Sequence, residues 1–453
     1  MNTIRAAGGN PLLVGGAVVD TLRDMDPKDW DIEVYGLSMS DVEQAVSQFG
    51  PKAVGREFGI LTLGGTALDI DVSVPRRENK VGMGHRDFKV ELDPGMTPLE
   101  AARRRDFTIN SLLLSAGGEV IDHFGGLKDL KDGALRATDP VTFVEDPLRC
   151  LRAMQLLARK AQYVDAPTQD LCARLVPLLK HLPRERLYEE WRKLLMLSWE
   201  PSLGLHFLAG VGGLTVFPEL GVLIGCEQNP EWHPEGDVWE HTLRVVDAAA
   251  KVIRCQRADL PAFPEEWREA LMFGAVCHDM GKPAVTDEDL KAHGHDKAGE
   301  DPARAFMARL TNQKDLTRQV VTIVKEHMNV SNLSHAMQET KRPHSMWRRL
   351  HNRWRLDVAG WFSRCDGIAS RPLNPIEVVT MEDHRPSEYC WQYFNELGEK
   401  PIARILEGRD LIAVGQSPGP HFGVMLKAAY EVQLDGEADK DTLLAVALAA
   451  NPT

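Results

Sequence analysis

The sequence predicts an α+β head, built on a mixed sheet, followed by a long all-α remainder. Three observations carry this reading. Up to about residue 75, short apolar runs alternate with turns, as strands do. From about residue 136, apolar residues recur at helical spacing. A Gly/Pro-rich stretch from Gly210 to Glu235, and then Pro372 with Pro375, break that helical texture. The expected divisions are 1–135 for the head, 136–215 for a helical neck, 216–371 for a second helical domain and 372–453 for a C-terminal helical region.

Taken in order, Leu12–Val14, Asp31–Tyr35, Ile60–Leu63 and Leu68–Val74 read as strands, with Ser40–Phe49 a helix between them. Leu148–Ala158 and Leu187–Leu197 each place apolar residues on one helical face, and Thr442–Ala450 closes the chain as a helix. At 453 residues, 43% hydrophobic and 26% charged, the chain has material for several cores and is not a disordered or fibrous protein. Its longest apolar run, Leu443–Ala450, is far short of the roughly 18 residues a membrane helix needs, so no membrane partner is expected. Met1–Asn10 has no apolar core of a signal peptide. The seven cysteines, odd in number and without a CxxC, read as reduced thiols, and a cytoplasmic location is expected.

The net charge of −13 argues against a generally sticky nucleic-acid surface. Locally the sign changes: residues 136–200 hold 11 Lys and Arg against 9 Asp and Glu, and Lys341–Arg364 holds 7 against 1. Such stretches suit either a phosphate-binding groove or an ordinary solvated helix face. The second also carries Trp347, Trp354 and Trp361, spaced by seven, which on one helix would form a stripe for core packing or for stacking on RNA.

The densest chemistry opens the chain. In Leu13-Val-Gly15-Gly16-Ala-Val-Val19-Asp20 a strand runs into a glycine turn whose N–H groups suit a phosphate, although a plain tight turn has the same sequence. Asp29 and Asp31, at i and i+2 on a strand, point their carboxylates to one face. Paired like charges of that kind suit a divalent cation, and Asp71 offers a third from a neighbouring strand.

With these residues the chain resembles the nucleotidyltransferase head of the polymerase-β superfamily, and within it the class II tRNA nucleotidyltransferases, or CCA-adding enzymes, of the bacterial HD-domain-containing type. Further blocks follow in the family's order: Arg104-Arg105-Asp-Phe-Thr-Ile-Asn110, Asp122-His-Phe-Gly-Gly-Leu-Lys-Asp129, Glu145-Asp146-Pro-Leu-Arg149-Cys-Leu-Arg152 and Glu185-Arg186. The resemblance implies Mg²⁺ on Asp29 and Asp31, with Gly15, Gly16, Asp20, Arg104, Arg105 and Asn110 around the nucleotide. It implies CTP, ATP and tRNA as partners. Asp146 as acceptor beside Arg149 as donor would accept cytosine and adenine, whose exocyclic amines uracil and guanine replace by carbonyls. Positions 146, 149 and 152 would share a helix face; a surface ion-pair ladder would look the same. Two family arginines at the nucleotide are missing, replaced by Val19 and Gln155.

A second constellation follows: His241, His278-Asp279 and Asp366, with His293, His295 and His327 between. Mixed nitrogen and oxygen ligands suit a divalent transition metal or Mg²⁺. The run His233-Pro-Glu235…His241…His278-Asp279…Lys282 resembles HD-domain phosphohydrolases, which implies hydrolysis of phosphoesters such as 2′,3′-cyclic phosphates by metal-activated water, with His295 and His327 candidates for a second metal. The C-terminal Gly408-Arg-Asp-Leu411…Pro418-Gly-Pro420…Gly423 resembles the family's tail, a structural element that would lie near the tRNA elbow. Two rival functions fit parts of the pattern. One is a poly(A) polymerase on the same head, a subfamily without an HD domain. The other is an HD phosphohydrolase whose head, with Val19 and Gln155, only binds nucleotide.

Overall fold

A computed structural model describes residues 1–27, 29–53, 59–64, 69–80, 88–254, 260–337, 343–371, 384–437 and 439–451. Leu68, Cys255, Lys341, Arg342, Pro372 and Pro375 lie outside them. Two compact units divide the chain, Met1–Phe217 and Pro218–Thr453.

The strands of the head are β1 (Asn10–Val14), β2 (Asp29–Tyr35), β3 (Pro51–Ala53), β4 (Ile60–Leu63), β5 (Asp69–Ser73), β6 (Arg76–Lys80), β7 (Phe88–Leu92), β8 (Leu113–Ser115) and β9 (Val120–Ile121). Seven of them form one sheet in the order β3-β4-β5-β2-β1-β8-β9, and β6 with β7 makes a separate ribbon. β2 runs parallel to β5 and antiparallel to β1, so the sheet is mixed as expected. Period-two burial puts Val34, Leu61 and Val72 into a core with Ile4, Val42 and Val46. Leu13 packs instead with Ala17, Val18 and Leu112. The helix expected over Ser40–Phe49 is Met39–Ala45, opened by a Ser38/Asp41 capping box and followed by a tight turn, Ser47–Phe49. The same reciprocal capping, by Thr97 and Glu100, starts the helix Pro98–Arg103 just before the paired arginines of the head.

Helices Arg149–Lys160, Ala166–Leu175, Arg184–Leu197 and Pro201–Gly210 complete the first unit, with a short strand, Tyr163–Val164, pairing parallel to Ala134–Leu135. The second unit is helical. Val238–Val252, Arg268–Cys277, Lys314–Ala336 and Leu356–Ala369 carry its chemistry. Its last helices, His421–Leu434 and Lys440–Ala449, close a small core of Leu411, Met425, Leu443 and Ala447, so the tail motif is structural.

The tryptophan stripe is corrected by the structure. Trp347 lies on Pro343–His351, Trp361 on Leu356–Ala369, and Trp354 in the link between the two helices. All three are buried; Trp347 stacks on Tyr393 at 5.4 Å, and Trp361 packs on Trp391 at 5.1 Å. Among the described residues, the arginines around them are knitted into the fold. Arg349 binds Glu431 and Asp435, Arg353 binds Glu326, and Arg355 binds Asp357 and Glu266. Arg364 is buried with its guanidinium 5.0 Å from the Trp391 ring. Among the described residues no helix is long and apolar enough to cross a membrane, and the six described cysteines are free.

Candidate active sites

In the head, β1 runs into Gly15, whose φ of 69° strains any side chain, and the helix Gly16–Leu22 starts at once. A Cβ on Gly15 would lie 3.6 Å from Asp31 Oδ2 and 3.7 Å from Arg105 Nη1, so turn, carboxylate and guanidinium border one space. Parallel pairing sets Asp29 opposite Asp69 and Asp31 opposite Asp71. The Thr62 hydroxyl donates to Asp71 Oδ1 at 2.6 Å, and Arg105 pairs with Glu33 Oε2 at 3.5 Å. Partial shielding from water raises the Asp31 pKa; Arg105 opposes this, while Asp71, Asp29 and Glu33 add to it. The three aspartates are not drawn into a closed group. Among the described residues, the histidine and carboxylate groups whose ligand atoms lie within 4.8 Å of one another are all in the second unit.

The residues expected to select the nucleotide are placed differently from expectation. Asp146 is not on the helix, which starts at Arg149, because the residue before Pro147 is kept out of the helical region. Its Oδ1 accepts from the Leu148 N–H at 3.0 Å and its Oδ2 from Arg186 at 2.7 Å. Arg149 donates at 2.7 Å to the carbonyls of Thr142 and of Arg104. Arg152 binds the buried Asp106 at 2.6 Å, and the same carboxylate accepts from Asn110 at 3.0 Å. Arg152 and Asn110 therefore brace the arginine-rich loop from behind, through Asp106, a residue the sequence motifs did not mark as functional. Val19 is fully buried, and Gln155 is buried with its amide oxygen accepting from Arg159 at 2.7 Å. Lys160 Nζ, also unmarked in the sequence, meets Asp20 Oδ1 at 2.6 Å.

The second centre gathers all the expected residues except His293, which is exposed. His241 comes from Val238–Val252, His278 and Asp279 from the end of Arg268–Cys277, His327 from Lys314–Ala336 and Asp366 from Leu356–Ala369. His241 Nε2 lies 3.0 Å from Asp366 Oδ1, and His278 Nε2 3.2 Å from Asp279 Oδ2. On the other side of Asp279, Oδ1 is 3.3 Å from His295 Nε2 and 3.9 Å from His327 Nε2. Two ligand groups result: His241 with His278 and Asp366, and Asp279 with His295 and His327. Gly281 lets these segments meet, since a Cβ there would lie 2.1 Å from the His295 carbonyl oxygen.

The histidines are aimed. Nδ1 of His278 donates to the Ala275 carbonyl, Nδ1 of His295 to Ala292 and Nδ1 of His327 to Val324, leaving each Nε2 as a lone pair toward the centre. His241 Nδ1 is held 2.7 Å from Glu235 Oε1, a carboxylate that also takes His233. Two of these lone pairs, on His295 and His327, face each other at 3.0 Å. His278 Nε2 and Asp279 Oδ1 are buried without a hydrogen bond. Such groups are costly to bury unsatisfied, and a divalent cation would satisfy them, so the donor set fits a metal. Burial opposes charge on His241, yet its bonds to Asp366 and Glu235 push its pKa up to about 9. Against burial, His278 and Lys282 hold Asp279 well below the carboxylate range, and His241 does the same for Asp366. Burial, then His278, pushes His327 down to about 4, the neutral form a ligand needs.

The family model for the poly(A) polymerase head domain matches residues 12–136, that for the HD domain 238–368, and that for a probable RNA- and SrmB-binding site of polymerase A 164–223. A multifunctional CCA protein of Xanthomonas campestris pv. campestris is 33% identical over 433 residues, which cover 92% of this chain and 96% of the relative. The chain belongs to the multifunctional CCA protein family. A second member, from Stenotrophomonas maltophilia, is 34% identical over 336 residues, covering 72% of this chain and 78% of its own. The fold is also that of solved CCA-adding enzymes. One in complex with CTP superposes with a TM-score of 0.63 at 19% identity, covering 100% of this chain and 95% of that one. The Thermotoga maritima enzyme complexed with tRNA gives 0.57 at 19% identity, covering 99% and 92%.

Proposed function

We propose that this chain adds CMP and AMP to the 3′ end of tRNA from CTP and ATP without a nucleic-acid template, and that its second unit is a metal-dependent phosphohydrolase. The observation that supports the first activity most is the glycine turn set against Asp31 and Arg105, in a member of the multifunctional CCA protein family. Residues 1–135 are the nucleotidyltransferase head, 136–215 the neck with the selecting segment, 216–371 the HD domain and 372–453 the C-terminal region. On this reading Asp29 and Asp31, with Asp71 beside them, hold Mg²⁺. The ions supply activation of the RNA 3′-hydroxyl and charge neutralisation on the departing pyrophosphate. The turn at Gly15 and Gly16 offers its N–H groups to the triphosphate, with Arg105 beside it and Arg104 read as a further phosphate contact. For Asp146 to accept from a base amine and Arg149 to donate beside it, each exchanges a present partner, Arg186 for the first and a backbone carbonyl for the second. The HD match sets this reading ahead of a poly(A) polymerase.

In the second unit, His241, His278, Asp279 and Asp366 hold one divalent cation. Asp279, His295 and His327 would hold a second. The substrates expected are phosphoesters at RNA ends, 2′,3′-cyclic phosphates among them. The chain is read as a cytoplasmic enzyme, in keeping with its free thiols. The test offers purified protein labelled CTP or ATP with tRNA lacking its last three nucleotides, lacking only the terminal adenosine, or complete. CMP on the first, AMP on the second and nothing on the third is the expected result. AMP added repeatedly to all three would return the chain to the poly(A) polymerases.

A further inference from the structure

Lys160 is the last residue of the helix Arg149–Lys160, and no motif of the sequence includes it. Its ammonium reaches Asp20 Oδ1 at 2.6 Å, on the helix that begins at the glycine turn. A Cβ built on Gly16 would lie 3.9 Å from Lys160 Nζ. The glycine turn is therefore flanked by two cations: Arg105 beside Gly15, on the side of Asp31, and Lys160 beside Gly16, on the side of Asp20. The lysine is not loosely placed. Its side chain is 13% exposed, and its own carbonyl is bound by Arg23. An ammonium has three donors, and Asp20 accounts for one. Shielding from water leaves its charge less screened than that of a surface lysine. The two positions where a further arginine was expected hold buried, neutral side chains, Val19 and Gln155.

We propose that Lys160 is a triphosphate-binding residue of the head: its ammonium, oriented by Asp20, donates to a phosphate oxygen of the incoming nucleoside triphosphate lying on the turn at Gly16. This rests on the reading of the head as a nucleotidyltransferase and names a contact that reading does not contain. The alternative use of the same atoms is a structural tie between the two helices. The two are separable, because a phosphate contact acts on the triphosphate tail alone, whereas a lost tie loosens the whole site.

The experiment measures binding of CTP and of CMP, with Mg²⁺, to the full chain and to its Lys160→Met and Lys160→Arg variants, beside their thermal midpoints. A charge-assisted contact of this kind changes affinity by about tenfold to a hundredfold. The expected result is that Lys160→Met loses that much for CTP with CMP affinity unchanged, and that Lys160→Arg keeps CTP affinity within a few-fold. Nucleotide addition should show the loss in KM for CTP and ATP rather than in kcat. Equal weakening of CTP and CMP would assign Lys160 to the structural tie, and unchanged CTP affinity would remove it from the site. Should Lys160→Met not fold, CTP binding by Lys160→Arg decides: retention supports the contact, while loss of CTP and CMP together overturns it. A wild-type chain that binds no CTP at all would count against the nucleotidyltransferase reading instead, and so is told apart.

Discussion

The two centres are built from overlapping ligand chemistry in opposite environments. In the head, Asp29 and Asp31 stand exposed at the end of a strand, and their carboxylates do not close on a common point. In the second unit, His241, His278 and Asp279 are buried, and His278, His295 and His327 already turn their free nitrogens inward. The difference teaches what each centre waits for. On the proposed function, exposed carboxylates that repel one another would be completed by what the substrate brings, a metal riding on a triphosphate. Buried atoms without hydrogen bonds would be completed by a resident ion, which would offset the cost of burying them unsatisfied.

The comparison breaks most visibly under a pair of substitutions. Asp31→Ala should abolish nucleotide addition, a loss of about a thousandfold or more, while metal-dependent phosphoester hydrolysis survives. His278→Ala should do the reverse. Both activities are assayed on the same folded preparations, and a joint loss in either variant would mean that one chemistry serves both centres. Chelation sharpens the same contrast: stripping divalent cations should lower the thermal midpoint of the His278-containing unit, and His278→Ala should abolish that sensitivity.

A smaller effect concerns selection. Asp146→Ala should let UTP and GTP compete better with CTP and ATP by about tenfold to a hundredfold, since no acceptor remains to go unpaired against them. Single-turnover incorporation of each nucleotide on tRNA without its 3′ end measures it. Unchanged base preference would leave Asp146 with only its present role, anchoring Arg186.

A pH effect separates the cluster's imidazoles from one outside the ligand groups. His384 is buried at the start of the helix Arg385–Leu397, where its Nδ1 accepts from the Ser387 N–H, and burial with nearby Arg364 and Arg371 lowers its pKa to about 4. The folded value lies below the unfolded one of about 6.5, so the unfolded chain takes up the proton first. Stability is therefore full above pH 6.5 and falls as pH drops toward 4, by about 3 kcal/mol in all. Melting of wild type and of His384→Asn, which can still cap, between pH 7.5 and 4.5 should show a gap that narrows with acid. A constant gap would mean that His384 titrates normally.

Much of this was legible in the sequence because it is local. Ile60–Leu63 is a strand as read, and Asp29 and Asp31 share a strand whose neighbour brings Asp71 level. The HD residues are legible from their order and from the resemblance it carries, and all but His293 meet. What the sequence could not carry was long-range pairing. Arg186 lies 40 positions from Asp146 and Lys160 lies 140 from Asp20, and no local pattern announces either contact. The tryptophan spacing misled for a related reason: a period of seven assumes one continuous helix, and the chain breaks that helix at Trp354.

Consider again how the imidazoles of the second unit are held. His278, His295 and His327 each bond to the carbonyl three residues earlier in their own stretch of chain, so each carries its own rest and takes no bearing from its fellows. His241 alone leans on a neighbour, Glu235, which lies outside its helix and supports His233 as well. Damage at any of the first three would stay where it fell. Damage at Glu235 would travel, since His241 would lose the partner that fixes its Nδ1; the centre has three posts fixed from their own stretch of chain and one fixed from the segment before its helix.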